Sequence, residues 1–294
     1  MTSDQHRPAY EGRPLPRPDE EVVDQGLGFD IGTLMSRRRS LRMLGLGAAS
    51  LGLVACGDGE PTSSGATTTT TTKAATGSSA AAAAPTGEIP EETAGPYPGD
   101  GSNGPDVLEQ SGIVRADIRS SFGDASGTAE GVPMTLELTI YNLARGSAPY
   151  EGAAIYVWHC DRPGQYSLYS ENVTKENYLR GVQVADSAGK VRFTSIFPGC
   201  YPGRWPHIHF EVYPDQNSIT DATNAIATSQ VALPEDVCKA VYAQDGYEDS
   251  VTNLSRVSLT TDMVFRDDSA VHQLGTVTGD VTSGYAVSLS VGID

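Results

Sequence analysis

Residues 198–213 read PGCYPGRWPHIHFEVY, and from residue 207 onward polar and apolar side chains alternate. Side chains two positions apart on a β-strand share a face, so His207 and His209 point the same way and the apolar residues between them point the other way. The strand rise places the two histidines roughly 6.5–7 Å apart along the backbone, which lets both imidazoles reach one metal ion. The alternative is a polar pair on the solvated face of an edge strand.

Alternating or β-branched segments recur along residues 90–294 and predict further strands. They lie at residues 132–140, 154–160, 182–185, 190–197, 256–265 and 285–291. Residues 186–189 (DSAG) predict a hairpin turn, and residues 234–243 predict one helix with proline at its start and two acidic residues in its first turn. We therefore predict an all-β fold, an antiparallel β-sandwich with few short helices and long loops.

The first 55 residues predict an export signal. Residues 36–42 read SRRRSLR, a twin-arginine pattern, and residues 43–55 are almost all apolar or small. Thirteen residues are too few to span a bilayer as a permanent helix. The run ends in LVAC, which resembles a bacterial lipobox and predicts lipidation of Cys56. The alternative is an apolar helix that is followed by a cysteine by chance.

Residues 56–89 are rich in Thr, Ser, Ala and Gly and predict a flexible linker between a lipid anchor and a folded domain at residues 90–294. The predicted location is the outer face of the cytoplasmic membrane, or the secreted fraction. The net charge is −17 and remains so without residues 1–55, which carry seven basic and seven acidic side chains. Such a chain is a poor partner for nucleic acid, and its only predicted membrane contact is the lipid anchor.

The folded domain holds Cys160, Cys200 and Cys238. Export permits a disulfide, and the odd number leaves one thiol over. We favour a Cys200–Cys238 pair because Cys160 ends a strand-like apolar run, although the sequence does not settle the pairing.

Two tyrosines and one arginine near the His-x-His pair are candidate functional residues. Tyr166 ends a strand-to-loop stretch, WHCDRPGQY, and Tyr201 and Arg204 directly precede the histidines. Each also has an ordinary interpretation: a loop tyrosine that caps the core, or a surface cation paired with a carboxylate.

Taken together, the motifs are similar to those of the intradiol ring-cleavage dioxygenases, the catechol and protocatechuate dioxygenase family. The similarity lies in WHCDRPGQY at residues 158–166, PGCYP at residues 198–202 and RWPHIH at residues 204–209. It implies a non-haem ferric iron, Fe(III), and a reaction with O₂ that cleaves a small aromatic diol between its hydroxylated carbons to a cis,cis-muconate-type product. The interval of six residues between Tyr201 and His207 is shorter than in the well-known members, so the substrate within this class is left open.

The resemblance also implies roles for single residues. The implied iron ligands are Tyr166, Tyr201, His207 and His209. Tyr201 would also act as a base toward a substrate hydroxyl, and Arg204 would stabilise charge on the ring.

Three further residues are predicted to contact the substrate. The segment ETAGPY at residues 92–97, with Tyr97, resembles the part of the family that passes near the pocket, and Gln230 resembles a glutamine beside the substrate. Trp205 is predicted to line an aromatic pocket, with core packing as an equal alternative.

Two other classes of function compete with the enzyme. One is a surface-tethered protein that binds aromatics or polyphenols on the same scaffold without turnover. The other is a zinc or copper protein that uses only His207 and His209. Outside this constellation, His159 is predicted to be a hydrogen-bonded structural histidine and His272 to be solvated, while Glu211 is either a support for the histidines or exposed.

Overall fold

A computed structural model describes residues 9–10, 13–14, 84–85 and 87–294. The predicted export signal at residues 1–55, Cys56 and nearly all of the linker at residues 56–89 lie outside this part of the chain, apart from strands β1 (Ala9–Tyr10) and β2 (Arg13–Pro14), which pair antiparallel. Within the described residues, no helix has the length and apolar character needed to cross a membrane.

Four strands form an antiparallel sheet that we call the site sheet, in the order β6-β5-β8-β9. The strands are β5 (Ala154–Trp158), β6 (Arg180–Val184), β8 (His207–Tyr213) and β9 (Ala227–Ala232). Strand β8 therefore lies inside the sheet, between β5 and β9, so the edge-strand interpretation of the histidines is wrong.

Five strands form the second sheet, which we call the support sheet. They are β3 (Pro133–Asn142), β4 (Ala148–Pro149), β7 (Lys190–Ile196), β10 (Thr276–Asp280) and β11 (Gly284–Ile293). Strand β3 pairs with β4, β7 and β11, and β10 pairs with β11. The pairing of β11 with β3 is parallel, so this sheet is mixed, while the other pairs are antiparallel.

Two short α-helices and four 3₁₀ turns complete the described domain. The helices are α1 (Glu235–Tyr242) and α2 (Glu248–Leu254). The 3₁₀ turns lie at Glu171–Val173, Gln216–Thr220, Ala222–Asn224 and Phe265–Asp267. The prediction of a strand-dominated sandwich with few short helices and long loops is confirmed, as is the helix that starts after Pro234.

The main hydrophobic core lies between the sheets and uses alternate residues of their strands. From β8 it takes Ile208, Phe210 and Val212, the apolar face predicted from the alternation. The opposite face of β8 is also buried, and all seven of its residues are shielded from solvent. Since one face packs in the core, the other is covered by the loops that carry the remaining site residues, and the polar face of β8 lies in a water-poor interior.

Three local predictions are wrong. Residues 186–189 form a turn, but it joins β6 in the site sheet to β7 in the support sheet and so closes no hairpin. Residues 256–265 form turns because polar side chains capture nearby backbone N–H groups: Thr261 accepts from Ser258 N, and Asp262 accepts from Val264 N and Phe265 N. The favoured Cys200–Cys238 disulfide is absent, since all three cysteines of the described domain are buried free thiols.

Candidate metal centre

His207 and His209 form the base of the site. Their side chains lie on one face of β8, both are 2 % exposed, and their Nε2 atoms are 3.0 Å apart. The ring of His209 stacks on Trp158 of the neighbouring strand β5, with centroids 4.8 Å apart and ring planes 6° from parallel. The strand thus brings the two nitrogens together, and the aromatic partner fixes the orientation of the second ring.

Hydrogen bonding assigns the tautomer of His207. Its Nδ1 atom lies 2.5 Å from the backbone carbonyl of Trp205, which only accepts, so Nδ1 carries the proton. The Nε2 atom consequently keeps a free lone pair. Burial, together with the positive charge of Arg204, lowers the pKa of His207 to about 3, and burial with the neighbouring His207 puts the pKa of His209 well below its ordinary value. Both imidazoles are therefore neutral, the form that ligates metals.

Tyr201 reaches the histidines from the loop that follows β7. Its hydroxyl lies 3.1 Å from His207 Nε2. The loop can pass close to the preceding one because Gly199 has no side chain: a Cβ there would lie 2.5 Å from the carbonyl oxygen of Arg162. Burial raises the pKa of Tyr201 to about 12, against the opposing effect of Arg204.

Tyr166 enters from the loop after β5. Its ring lies 5.6 Å from that of Tyr201 and 6.2 Å from that of His209, measured between centroids. The hydroxyl is buried and makes no well-formed hydrogen bond among the described residues, although the hydroxyl of Tyr201 lies close by. Burial and the adjacent Tyr201 raise the pKa of Tyr166 well above its ordinary value. A buried hydroxyl without a partner is costly in a folded protein, so its presence calls for a ligand.

Two phenol oxygens and two imidazole nitrogens therefore meet in one buried cluster, and the residues present fit a metal ion. The Tyr166 hydroxyl lacks a well-formed hydrogen bond, and the Tyr201 hydroxyl and His209 Nε2 both lie close to His207 Nε2. A cation bound among these atoms would satisfy all of them. Phenolates are hard anionic donors and suit a hard ion such as Fe(III). No group of three or more His, Cys, Asp or Glu residues that could hold a metal occurs among the described residues.

Arg204 lies beside the cluster in the interior. Its side chain is 9 % exposed, so the surface interpretation is wrong. Its Nε donates to Asp262 at 2.9 Å and its Nη2 donates to the Gln230 side-chain oxygen at 2.7 Å. The Gln230 amide in turn donates to the carbonyl of Thr93 at 3.0 Å. The predicted residues Arg204 and Gln230 are thus held in one hydrogen-bonded chain.

The segment at residues 92–97 passes directly over the cluster. A Cβ at Gly95 would lie 3.2 Å from His209 Cε1, so glycine allows this close approach. The half-buried ring of Tyr97 lies 4.9 Å from the Tyr166 ring and 5.2 Å from the Tyr169 ring, between centroids. Tyr97 is therefore placed where it can contact a ligand of the cluster.

Trp205 lies elsewhere. Its side chain is 4 % exposed, belongs to the main core and donates its indole N–H to the carbonyl of Leu233 at 2.9 Å. The substrate-contact role predicted for Trp205 does not fit this placement, and its side chain serves packing.

The predictions for His159 and His272 are confirmed, and one of the two interpretations of Glu211 is wrong. His159 is buried and hydrogen-bonded to the Ser195 hydroxyl and the Cys160 carbonyl, each at 2.7 Å, and His272 is exposed, both as predicted. Glu211 is buried and accepts from the Tyr213 hydroxyl at 2.8 Å, so its exposed interpretation is wrong.

Two buried charged residues were missed by sequence reasoning. Asp262 holds Arg204, and its only sequence context was a stretch that resembled a strand. Arg180 donates to the carbonyls of Tyr97, Pro98 and Ser167 and so ties the segment over the cluster to the Tyr166 loop. No local pattern marks either residue, because each acts on segments distant in sequence.

Part of the chain is similar to known proteins. Residues 103–243 match the model of a family described as dioxygenase. A catechol 1,2-dioxygenase of Pseudomonas sp. (strain EST1001) is 38 % identical over 53 residues, 18 % of this chain and 17 % of that protein. The chain thus spans about a sixth of the length of this curated relative.

Solved structures show the fold. An intradiol ring-cleavage dioxygenase from Tetranychus urticae is similar at a TM-score of 0.54 with 22 % identity, over 71 % of this chain and 94 % of that one. The dioxygenase domain of a carbohydrate-binding fusion protein from Streptomyces sp. SirexAA-E gives a TM-score of 0.45 with 20 % identity, over 71 % and 99 % of the two chains. The resemblance to the intradiol ring-cleavage dioxygenases is confirmed.

Proposed function

We propose that the domain at residues 90–294 is a non-haem Fe(III)-dependent dioxygenase that cleaves a catechol-type aromatic between its two hydroxylated carbons with O₂, giving a cis,cis-muconate-type product. The observation that carries the proposal is the buried meeting of Tyr166, Tyr201, His207 and His209, with an unpartnered hydroxyl among them. The match to a dioxygenase family over residues 103–243 supports it.

Bound ferric iron would supply the positive charge that draws both substrate hydroxyls and makes the ring open to O₂. The chain's own residues would do the rest. The Tyr201 hydroxyl oxygen, once ionised, would accept a proton from a substrate hydroxyl. Arg204, a buried cation held in place by Asp262 and Gln230, would stabilise negative charge on the ring, more strongly than in water because the site is buried.

The test is an oxygen-uptake screen of the iron-loaded domain against catechol, protocatechuate, hydroxyquinol and larger lignin-like catechols, with identification of products. Tyrosinate bound to ferric iron gives a red-brown colour, so the loaded domain should be coloured and should consume O₂ with at least one of these diols. A colourless loaded domain contradicts the proposed ligand set. A coloured domain that binds the diols without oxygen uptake would instead be an aromatic-binding protein.

We further propose that the protein is exported and anchored by lipid at Cys56, through the linker at residues 56–89. The twin-arginine and lipobox-like patterns at residues 36–56 support this. Fractionation of a bacterial host that makes the full chain is the test. The wild type should be found with membranes, and a Cys56→Ser variant should leave them. Equal distribution of the two would contradict the anchor.

A further inference from the structure

Asp262 contacts Arg204 from a distant part of the chain. It lies in the turns that precede Phe265, outside the residues that match the dioxygenase family, and its side chain is fully buried. One carboxylate oxygen, Oδ2, accepts from Arg204 Nε at 2.9 Å and from the backbone N–H of Trp205 at 2.6 Å. The same atom thus holds both the side chain of Arg204 and the peptide that follows it.

The carboxylate is itself fixed. Its other oxygen, Oδ1, accepts from the backbone N–H groups of Val264 at 2.8 Å and Phe265 at 3.1 Å. Four hydrogen-bond donors therefore fix the orientation of the carboxylate. Burial alone would raise the pKa of Asp262, but the charge of Arg204 and the hydrogen bonds from Trp205 N and Arg204 outweigh it and lower the pKa.

The pair is poorly explained as a device for stability. Two buried charges lose their hydration, and a buried ion pair commonly stabilises a protein no better than apolar residues of the same volume. What the pair does supply is orientation. With Nε held by Asp262 and Nη2 held by Gln230, the plane of the Arg204 guanidinium is set by two points, and no described residue accepts from Nη1.

We propose that Asp262 is a positioning residue for the ring-cleavage reaction: it fixes the guanidinium of Arg204 beside the tyrosine and histidine cluster. This inference rests on the function proposed above, because it assigns to Asp262 the orientation of a group that acts on the substrate. Asp262 itself need not touch the substrate. Its effect on turnover passes through Arg204.

Asp262→Asn tests the inference with a side chain of the same shape. Asparagine offers one acceptor oxygen, so its NH₂ group must face either Arg204 and Trp205 or the Val264 and Phe265 N–H groups. We expect kcat to fall about tenfold or more, while KM stays within about threefold, since removal of an oriented charge acts mainly on the transition state. The red-brown absorption and the iron content of the resting protein should be retained, because all four donor residues remain.

A double-mutant cycle with Arg204→Gln separates positioning from general damage. If Asp262 acts through Arg204, the double variant should turn over about as fast as Arg204→Gln alone. Asp280→Asn is the matched control: Asp280 also accepts two backbone N–H groups, from Thr282 and Ser283 at 2.8 Å each, but it is exposed and contacts no arginine in the described domain. This variant should match the wild type.

The outcomes are distinct. The positioning role would be overturned if Asp262→Asn kept the wild-type kcat. It would also be overturned if the losses of kcat from Asp262→Asn and Arg204→Gln multiplied in the double variant. Either result leaves the proposed function intact. Loss of the visible absorption in Asp262→Asn would also overturn it, by showing a disturbed metal centre. A wild-type domain with no oxygen uptake for any diol overturns the proposed function, and this inference with it.

Discussion

The hydroxyl of Tyr166 is a buried atom for which a bound metal ion would supply the missing partner. It is buried and unpartnered within the described domain, which costs about 1–3 kcal/mol in a folded protein. Tyr166→Phe should therefore raise the stability of the metal-free domain, by about 1 kcal/mol, and at the same time weaken iron binding and remove much of the visible absorption. Urea unfolding of the metal-free protein and an iron titration followed by absorbance measure the two effects.

Tyr169 offers the matched control for that substitution. Its hydroxyl donates to the Asn103 side chain at 2.7 Å and accepts from Gly99 N at 2.8 Å, so it is satisfied. Tyr169→Phe should destabilise the metal-free domain by about 1 kcal/mol. If both variants lost the same stability, the Tyr166 hydroxyl would have to be paired in solution, and the argument for a ligand there would fail.

His159, which lies outside the metal cluster, makes the stability of the domain depend on pH. Burial lowers its pKa to about 4 from the ordinary 6.5. Between these two pH values His159 binds a proton in the unfolded chain but not in the folded one. The stability that the neutral side chain contributes is therefore fully present above about pH 6.5 and is lost as the pH falls toward 4. The loss is on the order of 3 kcal/mol.

The measurement is the free energy of unfolding in urea at several pH values. His159→Gln should show a shallower decline between pH 6.5 and 4 than the wild type, whatever its stability at neutral pH. His272→Gln removes an exposed histidine and should keep the wild-type slope. A His159→Gln variant that declines as steeply as the wild type would show that His159 does not titrate in this range.

At the scale of elements, the loop that carries Tyr166 and the loop that carries Tyr201 are held together by a close contact. Gly199 N donates to the Asp161 carbonyl at 3.0 Å, and a Cβ at Gly199 would lie 2.5 Å from the Arg162 carbonyl oxygen, which is backbone and cannot yield easily. Gly199→Ala should separate the loops, destabilise the domain by roughly 2 kcal/mol or more, and weaken iron binding through Tyr201.

Gly203→Ala is the control in the same loop. Gly203 has a positive φ of 83° but no atom within 4 Å of an added Cβ, so only backbone strain of about 1 kcal/mol is expected. Thermal unfolding and iron titration of both variants provide the comparison. Equal loss of iron affinity in the two would mean that the loop contact does not position Tyr201.

Strands and helices with regularly spaced apolar residues could be predicted from the sequence. Segments whose structure is decided by hydrogen bonds between side chains and backbone could not. The alternation of residues 207–213 predicted which face of β8 enters the core, and the proline and acidic residues at the start of α1 predicted that helix. Residues 256–265 also alternate, yet Thr261 and Asp262 bind nearby N–H groups and favour turns. A window of sequence does not reveal which of these competing bonds prevails.

At the scale of the whole molecule, the first segment of the folded domain, residues 87–97, also covers the tyrosine and histidine cluster. Ile89 N donates to Gly292 O at 2.9 Å and Glu92 N donates to Thr228 O at 2.7 Å, so the segment is bonded to both sheets. A chain that starts at residue 87 should unfold as cooperatively as the full protein and bind iron equally. A chain that starts at residue 98 should lose roughly 3 kcal/mol or more and lack oxygen uptake, because Thr93 and Gly95 are gone.

Differential scanning calorimetry and oxygen uptake on the two truncated chains decide this point. The shorter chain keeps all four donor residues, so retained iron colour with lost turnover would assign the segment to the substrate side of the site. Full activity without residues 87–97 would contradict the role given to the covering segment and to Tyr97.

The sequence by itself determined the strand that carries His207 and His209, the order of the tyrosine and histidine motifs, and the sandwich built from alternating segments. These features depend on neighbours along the chain, because strand periodicity repeats every two residues. Only the tertiary structure decided that β8 is an interior strand, that Trp205 packs in the core, and that Asp262 and Arg180 hold the site. Those properties depend on segments that meet in space, where burial makes each unpaired charge or hydroxyl costly and so forces partners together from distant positions.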